Sequence, residues 1–185
     1  ALVGQGGAGK TTLAEALLLA SGGIKEAGTV ERGTTVSDFD PLEKSWQHSL
    51  RASVLHLDAQ DTRVHLIDTP GFPDFIGQAI GALDAVETAA VVLSAQSGIE
   101  MIASQMMDWT AKRRLCRLII VNKIDADNVD LPSLLASIQS MFGKPKPNLW
   151  HARTLVGEWR AETLSGDVRG EITAIRIDRA GRALR

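Results

Sequence analysis

At 185 residues, with 44% hydrophobic and 23% charged side chains, the chain is long enough for one well-buried domain and too short for two of ordinary size. A formal net charge of -2 supplies no general pull toward nucleic acid or an anionic membrane surface, so any polyanion contact has to be local. Cys116 is the only cysteine, which excludes an intramolecular disulfide and a cysteine-based metal cluster and suits a reducing cytosol.

No apolar run approaches the roughly 18 residues of a membrane-spanning helix, and the start lacks the charged-then-apolar signature of a secretion signal, so no membrane partner is expected. Only Ala1, Leu2 and Val3 precede a glycine-rich loop, so the first strand is expected to lack its beginning and the chain to be a fragment. "ALVGQGGAGKTTLAEALLLASGG" then reads as a strand end, a loop and a helix, with Leu13, Leu17 and Ala20 at helical spacing and Gly22 and Gly23 as a stop. Within it, Gly4 to Thr11 matches G-x-x-x-x-G-K-S/T in the strand-to-helix context that a phosphate-binding loop requires. Backbone N–H groups over Gly4, Gln5, Gly6, Gly7, Ala8 and Gly9 would cradle phosphates at a positive helix end. Lys10 would reach the outer phosphates and Thr11 would ligate Mg²⁺, with Thr12 closing the run. The loop does not by itself separate ATP from GTP.

Residues 22 to 51 show no sustained period, and so long a loop is usually functional or disordered. "ASVLHLD" and "RVHLID", joined by the turn-forming "AQDT", suggest an antiparallel pair, on which His56 and His65 are expected to face solvent. The second strand delivers "DTPG", Asp68, Thr69, Pro70 and Gly71, a D-x-x-G in which Asp68 would hold Mg²⁺ through water and the Gly71 N–H would meet a γ-phosphate. Phe72 follows, and phenylalanine cannot move a proton.

A helical pattern over 75 to 86, the strand "AAVVLSA", a helix from about 99 to 113, the strand "CRLIIVN" and a helix from about 131 to 142 complete the series. Apolar strands alternating with helices indicate an α/β fold of the P-loop nucleotide-triphosphatase type: a mainly parallel sheet with an antiparallel edge strand and helices on both faces. Met101, Met106 and Met107 are expected to include core contacts. "NKID" adds N-K-x-D at a strand end, where Asp125 can accept from both guanine donors while Asn122 and Lys123 brace the base and the phosphate loop. Adenine lacks that donor pair, so GTP and GDP are the expected ligands. "KRR" at 112 to 114 suits a helix C-terminus without any partner. Residues 151 to 185 hold seven of the thirteen arginines and no lysine, and "EITAIRID" reads as a strand without an evident partner. The expected organisation is therefore one nucleotide-binding domain over 1–144 and an arginine-rich tail over 145–185.

"GAGKTTLAEALL", "GTTVSDFDP", "LIDTPGFPDFIGQ", "VVLSAQSGIE" and "IIVNKID" together resemble the GTP-binding domain of elongation factor G, especially its elongation-factor-G-like paralogues. The resemblance implies a cytoplasmic, Mg²⁺-dependent GTPase, with Lys10 and Gly71 as its catalytic positions, acting at the ribosome on ribosomal RNA and proteins. The chain departs from the family pattern at several places. The family carries histidine immediately after D-T-P-G, where Phe72 stands. Its R-G-I-T-I segment corresponds to "SWQHSL", which puts Ser49 at the metal-ligating threonine and Gln47 at the glycine. Gly7 replaces an aspartate of the phosphate loop, and no S-A-K or S-A-L follows Asp125. Slow hydrolysis is expected, the alternatives being a GTP-binding regulatory module with little intrinsic hydrolysis and a truncated fragment that neither binds nor hydrolyses.

Overall fold

The computed structural model describes residues 1–59 and 61–142, together with short strands at 150–151, 176–177 and 183–184. The elements run β1 (Leu2–Val3), α1 (Lys10–Ala20), α2 (Pro41–Trp46), β2 (Ser53–Ala59), β3 (Thr62–Asp68), a 3₁₀ turn (Pro73–Phe75) and α3 (Ile76–Leu83). They continue with β4 (Thr88–Ser94), α4 (Met101–Lys112), β5 (Cys116–Asn122), α5 (Leu131–Phe142), β6 (Trp150–His151), β7 (Arg176–Ile177) and β8 (Ala183–Leu184).

The main sheet has the order β2-β3-β1-β4-β5-β6. β2 is the antiparallel edge, and His56 pairs with His65 across it with both rings in solvent. The inner strands are parallel, with Leu2 beside Asp68 on one side and Ala90 on the other. Because successive strand residues point to opposite faces, the unbroken apolar run of β4 serves two cores. Val91 and Leu93 pack with Ala103 and Met106 of α4 and Ile138 of α5. Ala90 and Val92 pack with Leu13, Ala14 and Leu18 of α1. Each Leu, Val or Met so enclosed contributes about 1.5–3 kcal/mol by leaving water. Met106 and Met107 are core residues, whereas Met101 is exposed.

Parallel pairing brings the C-terminal ends of β1, β3, β4 and β5 to one edge, the place where an open α/β sheet takes its ligand. The helix expected over 75 to 86 is shorter than its pattern. Pro73 favours a 3₁₀ turn first, and α3 stops at Leu83 before Asp84. Residues 22 to 51 are mostly irregular but contain α2. Asp40 caps that helix by accepting from the Leu42 N–H, Glu43 returns to the Asp40 N–H, and Gln47 ends it with φ 57°. Six residues are too few for a periodic signal to stand out.

The strand-like "EITAIRID" does have a partner, since Arg176–Ile177 pairs antiparallel with Ala183–Leu184. Trp150 and His151 join the main sheet beside Ile120 and Val121. The remainder of the arginine-rich tail, and Gln60 of the "AQDT" turn, lie outside the described residues. Among the described residues no helix is long and apolar enough to cross a membrane.

Candidate functional site

The loop between β1 and α1 wraps the N-terminus of α1, whose orphan N–H groups point out of the sheet edge. Gly9 caps α1 at φ 91° and is approached so closely by the Asn122 side-chain amide that a Cβ would collide with it. Asn122 donates to the Ala8 carbonyl at 3.0 Å, which fastens the end of β5 to the loop. Gln5 is buried beneath the loop and donates to the Gly98 carbonyl at 2.9 Å and the Ser97 hydroxyl at 3.1 Å, tying it to the segment after β4.

Lys10 curls back under this loop. Its ammonium donates to the carbonyls of Gln5 at 2.8 Å and Gly4 at 3.0 Å. Burial lowers its pKa from 10.5 to about 8, and the nearby Asp68 carboxylate works in the opposite direction. Thr11 donates its hydroxyl to Asp68 Oδ2 at 2.7 Å and lies 3.3 Å from the Ser49 hydroxyl. Asp68 is 1% exposed, its Oδ1 has no hydrogen-bond partner, and burial raises its pKa from 3.8 to about 6. Thr69 donates to the Leu2 carbonyl at 2.7 Å, so its hydroxyl is committed to holding the turn on β1. Gly71 presses on the loop: a Cβ there would meet Lys10 Nζ and lie 2.6 Å from the Gln5 carbonyl carbon and the Gly6 nitrogen.

These residues surround a cavity of about 270 Å³ lined by Gly6, Gly7, Gly9, Lys10, Thr11, Thr12, Ser49, Thr69, Gly71 and Lys123, as well as Asp38, His48 and Phe72. Gly4, Gln5, Ala8, Asp68 and Pro70 are buried behind it. Asn122 braces the loop from below, Lys123 holds φ 58° at the end of β5, and Asp125 stands exposed on the following turn. The three sequence motifs therefore meet at one edge, with the third at its margin.

Three residues outside the sequence reading belong to this arrangement. Asp38 is 3% exposed with neither carboxylate oxygen in a close hydrogen bond; burial raises its pKa, the neighbouring Ser49 hydroxyl works against that rise, and the charge of Glu43 adds to it. Glu15 on α1 accepts from the N–H of Val36 at 2.6 Å and Gly28 at 2.7 Å. Glu43 accepts from the N–H of Leu50 at 2.9 Å and Arg51 at 3.1 Å. These carboxylates give the irregular segment its shape. Asp38 had a signal in "SDFD", but nothing local shows it to be buried.

Among the described residues no three His, Cys, Asp or Glu side chains gather as a metal cage. What the site offers is hard oxygen: the Thr11 and Ser49 hydroxyls and the unpartnered oxygens of Asp68 and Asp38. That set fits Mg²⁺, which is typically held by one or two carboxylates together with water and substrate phosphates.

The model of the elongation factor Tu GTP-binding domain matches residues 1–176. An elongation factor G-like protein of Mycobacterium tuberculosis is 35% identical over 142 residues, covering 77% of this chain and 20% of that protein. The tetracycline resistance protein TetW of Butyrivibrio fibrisolvens is 37% identical over 132 residues, covering 71% and 21% respectively. The chain thus spans about a fifth of the length of these relatives. Among solved structures, ttk003000868 from Thermus thermophilus superposes with a TM-score of 0.75 at 31% identity, covering 90% of this chain and 28% of that one. The bacterial selenocysteine-specific elongation factor EF-Sec shares the fold, with a TM-score of 0.60 at 20% identity over 82% of this chain and 24% of that one.

Proposed function

The chain belongs to the family of elongation factor Tu GTP-binding domains, and from that premise we propose that it binds and slowly hydrolyses GTP as the switch domain of an elongation-factor-G-like translation factor, acting at the ribosome in the cytoplasm. One observation carries the reading. The phosphate loop, the Asp68 turn and Ser49 converge on a single cavity, with Lys10 held beneath it and an unpartnered carboxylate oxygen beside the Thr11 hydroxyl.

In this reading the amides over Gly4 to Gly9 and the α1 N-terminus bind the phosphates, with Thr11 and Thr12 at the entrance to the helix. Thr11, Ser49 and Asp68 are the residues that would hold Mg²⁺, which when bound neutralises charge on the phosphates. Lys10 exchanges its two carbonyl acceptors for phosphate oxygens, and the Gly71 N–H senses the γ-phosphate. Thr69 and Pro70 fix the turn that presents Gly71. Asn122, Lys123 and Asp125 select guanine. Phosphoryl transfer depends chiefly on positioning and electrostatics, so hydrolysis survives without a histidine after Gly71 but is slowed.

Equal affinity for ATP and GTP by calorimetry would overturn the guanine assignment. Phe72→His is expected to raise ribosome-stimulated turnover, and an unchanged or lower rate would count against the slow-hydrolysis reading. Phe72 favours one alternative, a GTP-binding regulatory module that hydrolyses little and acts by occupying a partner. Tight GTP binding with no ribosome-stimulated turnover would select it.

A further inference from the structure

We propose that His48 holds the attacking water during GTP hydrolysis, seated for that task on the ring of Phe72. The inference rests on the hydrolytic reading above and names the group that the D-x-x-G turn itself does not supply. The side chains facing the cavity leave few choices. Lys10 and Lys123 can only donate, the Thr69 hydroxyl is committed to the Leu2 carbonyl and the Thr11 hydroxyl to Asp68, the Asp38 carboxylate and Ser49 hydroxyl belong to the oxygen set that suits Mg²⁺, and Thr12 and Glu31 are exposed. Gln47, whose Nε2 donates to the Glu31 carbonyl at 3.2 Å, is an exposed side chain at the rim and is not enclosed against Phe72 as His48 is. His48 is the imidazole among the described lining residues, and it is half-buried beside Ser49 and opposite Gly71 and the phosphate loop.

Its surroundings give the ring a defined seat. The His48 and Phe72 centroids are 4.4 Å apart with the planes tilted at 42°. Phe72 in turn lies against Gly6, where an added Cβ would come within 3.2 Å of its ring. Trp46 and Phe75 stand at 5.8 and 6.2 Å on other sides of the imidazole. Phe72, incapable of proton chemistry, therefore forms a platform that links the phosphate loop to the imidazole.

His48 Nδ1 lies 3.4 Å from the Ser49 carbonyl. A carbonyl only accepts, so that contact calls for the hydrogen on Nδ1 and leaves Nε2 with its lone pair, the acceptor that an O–H of water requires. In the hydrolytic step the water oxygen forms a bond to the γ-phosphorus, the bond to the β–γ bridging oxygen breaks with its electron pair, and GDP departs. The proton lost by the water ends on the phosphate product, so His48 orients the water by accepting a hydrogen bond and needs no change of charge.

The test is single-turnover hydrolysis of γ-labelled GTP by the intact chain, with and without ribosomes, alongside GTP and GDP affinities from a fluorescent analogue. His48→Leu should lower the rate by about 10²-fold, within the range typical of a lost water-positioning group, while affinity is kept. His48→Gln should fall between the two, since an amide can also orient water. The double variant His48→Leu with Phe72→His should regain much of the loss, because an imidazole returns to the same mouth of the cavity. A His48→Leu rate equal to wild type would overturn the inference and leave the GTPase reading intact. A rate loss matched by an equal loss of affinity, or no rescue by the double variant, would also overturn it. A wild-type chain that binds no GTP, or binds it without turnover, would overturn both.

Discussion

Replacing Asp68 by asparagine should change the pH dependence of folding by a calculable amount. Asp68 is 1% exposed, and burial raises its pKa from 3.8 to about 6 against the opposing help of the Thr11 hydroxyl and Lys10. Between these values the folded chain binds more protons than the unfolded chain, so this group makes stability fall as pH rises through the window. Above pH 6 its full cost is present, about 3 kcal/mol at 1.36 kcal/mol per pH unit. Asparagine keeps an acceptor for Thr11 but puts an amide where Oδ1 has no partner, a roughly constant cost of about 1–3 kcal/mol. Relative to wild type, the variant should therefore gain about 2.4 kcal/mol between pH 4 and pH 7. Asp38 adds its own slope to both curves, and because its charge also raises Asp68 the two carboxylates titrate as a coupled pair. Lys10, supported by the same carboxylate, makes pH 7 the proper upper limit. Urea titrations in EDTA without nucleotide would measure the difference, and parallel stability curves for the two chains would refute the assignment of a buried, strained carboxylate. The stabilised variant should also lose Mg²⁺-dependent GTP affinity, the usual cost of relieving a functional site.

Glu43→Gln should weaken the charge-assisted bonds to the Leu50 and Arg51 N–H groups, destabilising the segment by about 1–3 kcal/mol; unchanged amide hydrogen exchange at Leu50 and Arg51 would contradict this. Gly71→Ala should reduce GTP affinity at least tenfold in a fluorescent-analogue titration, roughly a 1.4 kcal/mol loss, because the new Cβ collides with Lys10 and the phosphate loop. Gly77→Ala is its matched control: nothing lies within 4 Å of the added Cβ on α3, so it should stabilise by about 0.4–1 kcal/mol and leave affinity unchanged. Trp46 is 56% exposed and 5.8 Å from His48, so its emission, isolated by subtracting that of Trp46→Phe, should differ between GTP and GDP. Identical spectra would show that Trp46 does not report the nucleotide.

The sheet and its ligand edge were legible because their signals are local. β4 and β5 are unbroken apolar runs, β2 and β3 alternate around a turn, and Gly4 to Thr12 and Asp68 to Gly71 carry their chemistry in contiguous residues. Ser49 was reachable only through family resemblance, since a serine in an aperiodic loop announces nothing. Glu15 carries no local signal because its partners, Gly28 and Val36, lie 13 and 21 positions away. Asp38 looked like one acidic residue among several, and its burial depends on a chain path set by Glu43. His48 sits in the aperiodic "SWQHSL" stretch, where nothing local marks it. Its meaning depended on the 4.4 Å contact with Phe72, which no spacing in the sequence expresses.

Glu15 also sets a boundary. One side chain on the helix that begins with Lys10 and Thr11 grips the amides of both Gly28 and Val36, so residues 28 to 36 form a closed ring riveted to the phosphate-binding helix. Losing that one carboxylate would untie both ends of the ring at once, and Asp38, Trp46, His48 and Ser49 all lie beyond it in the chain.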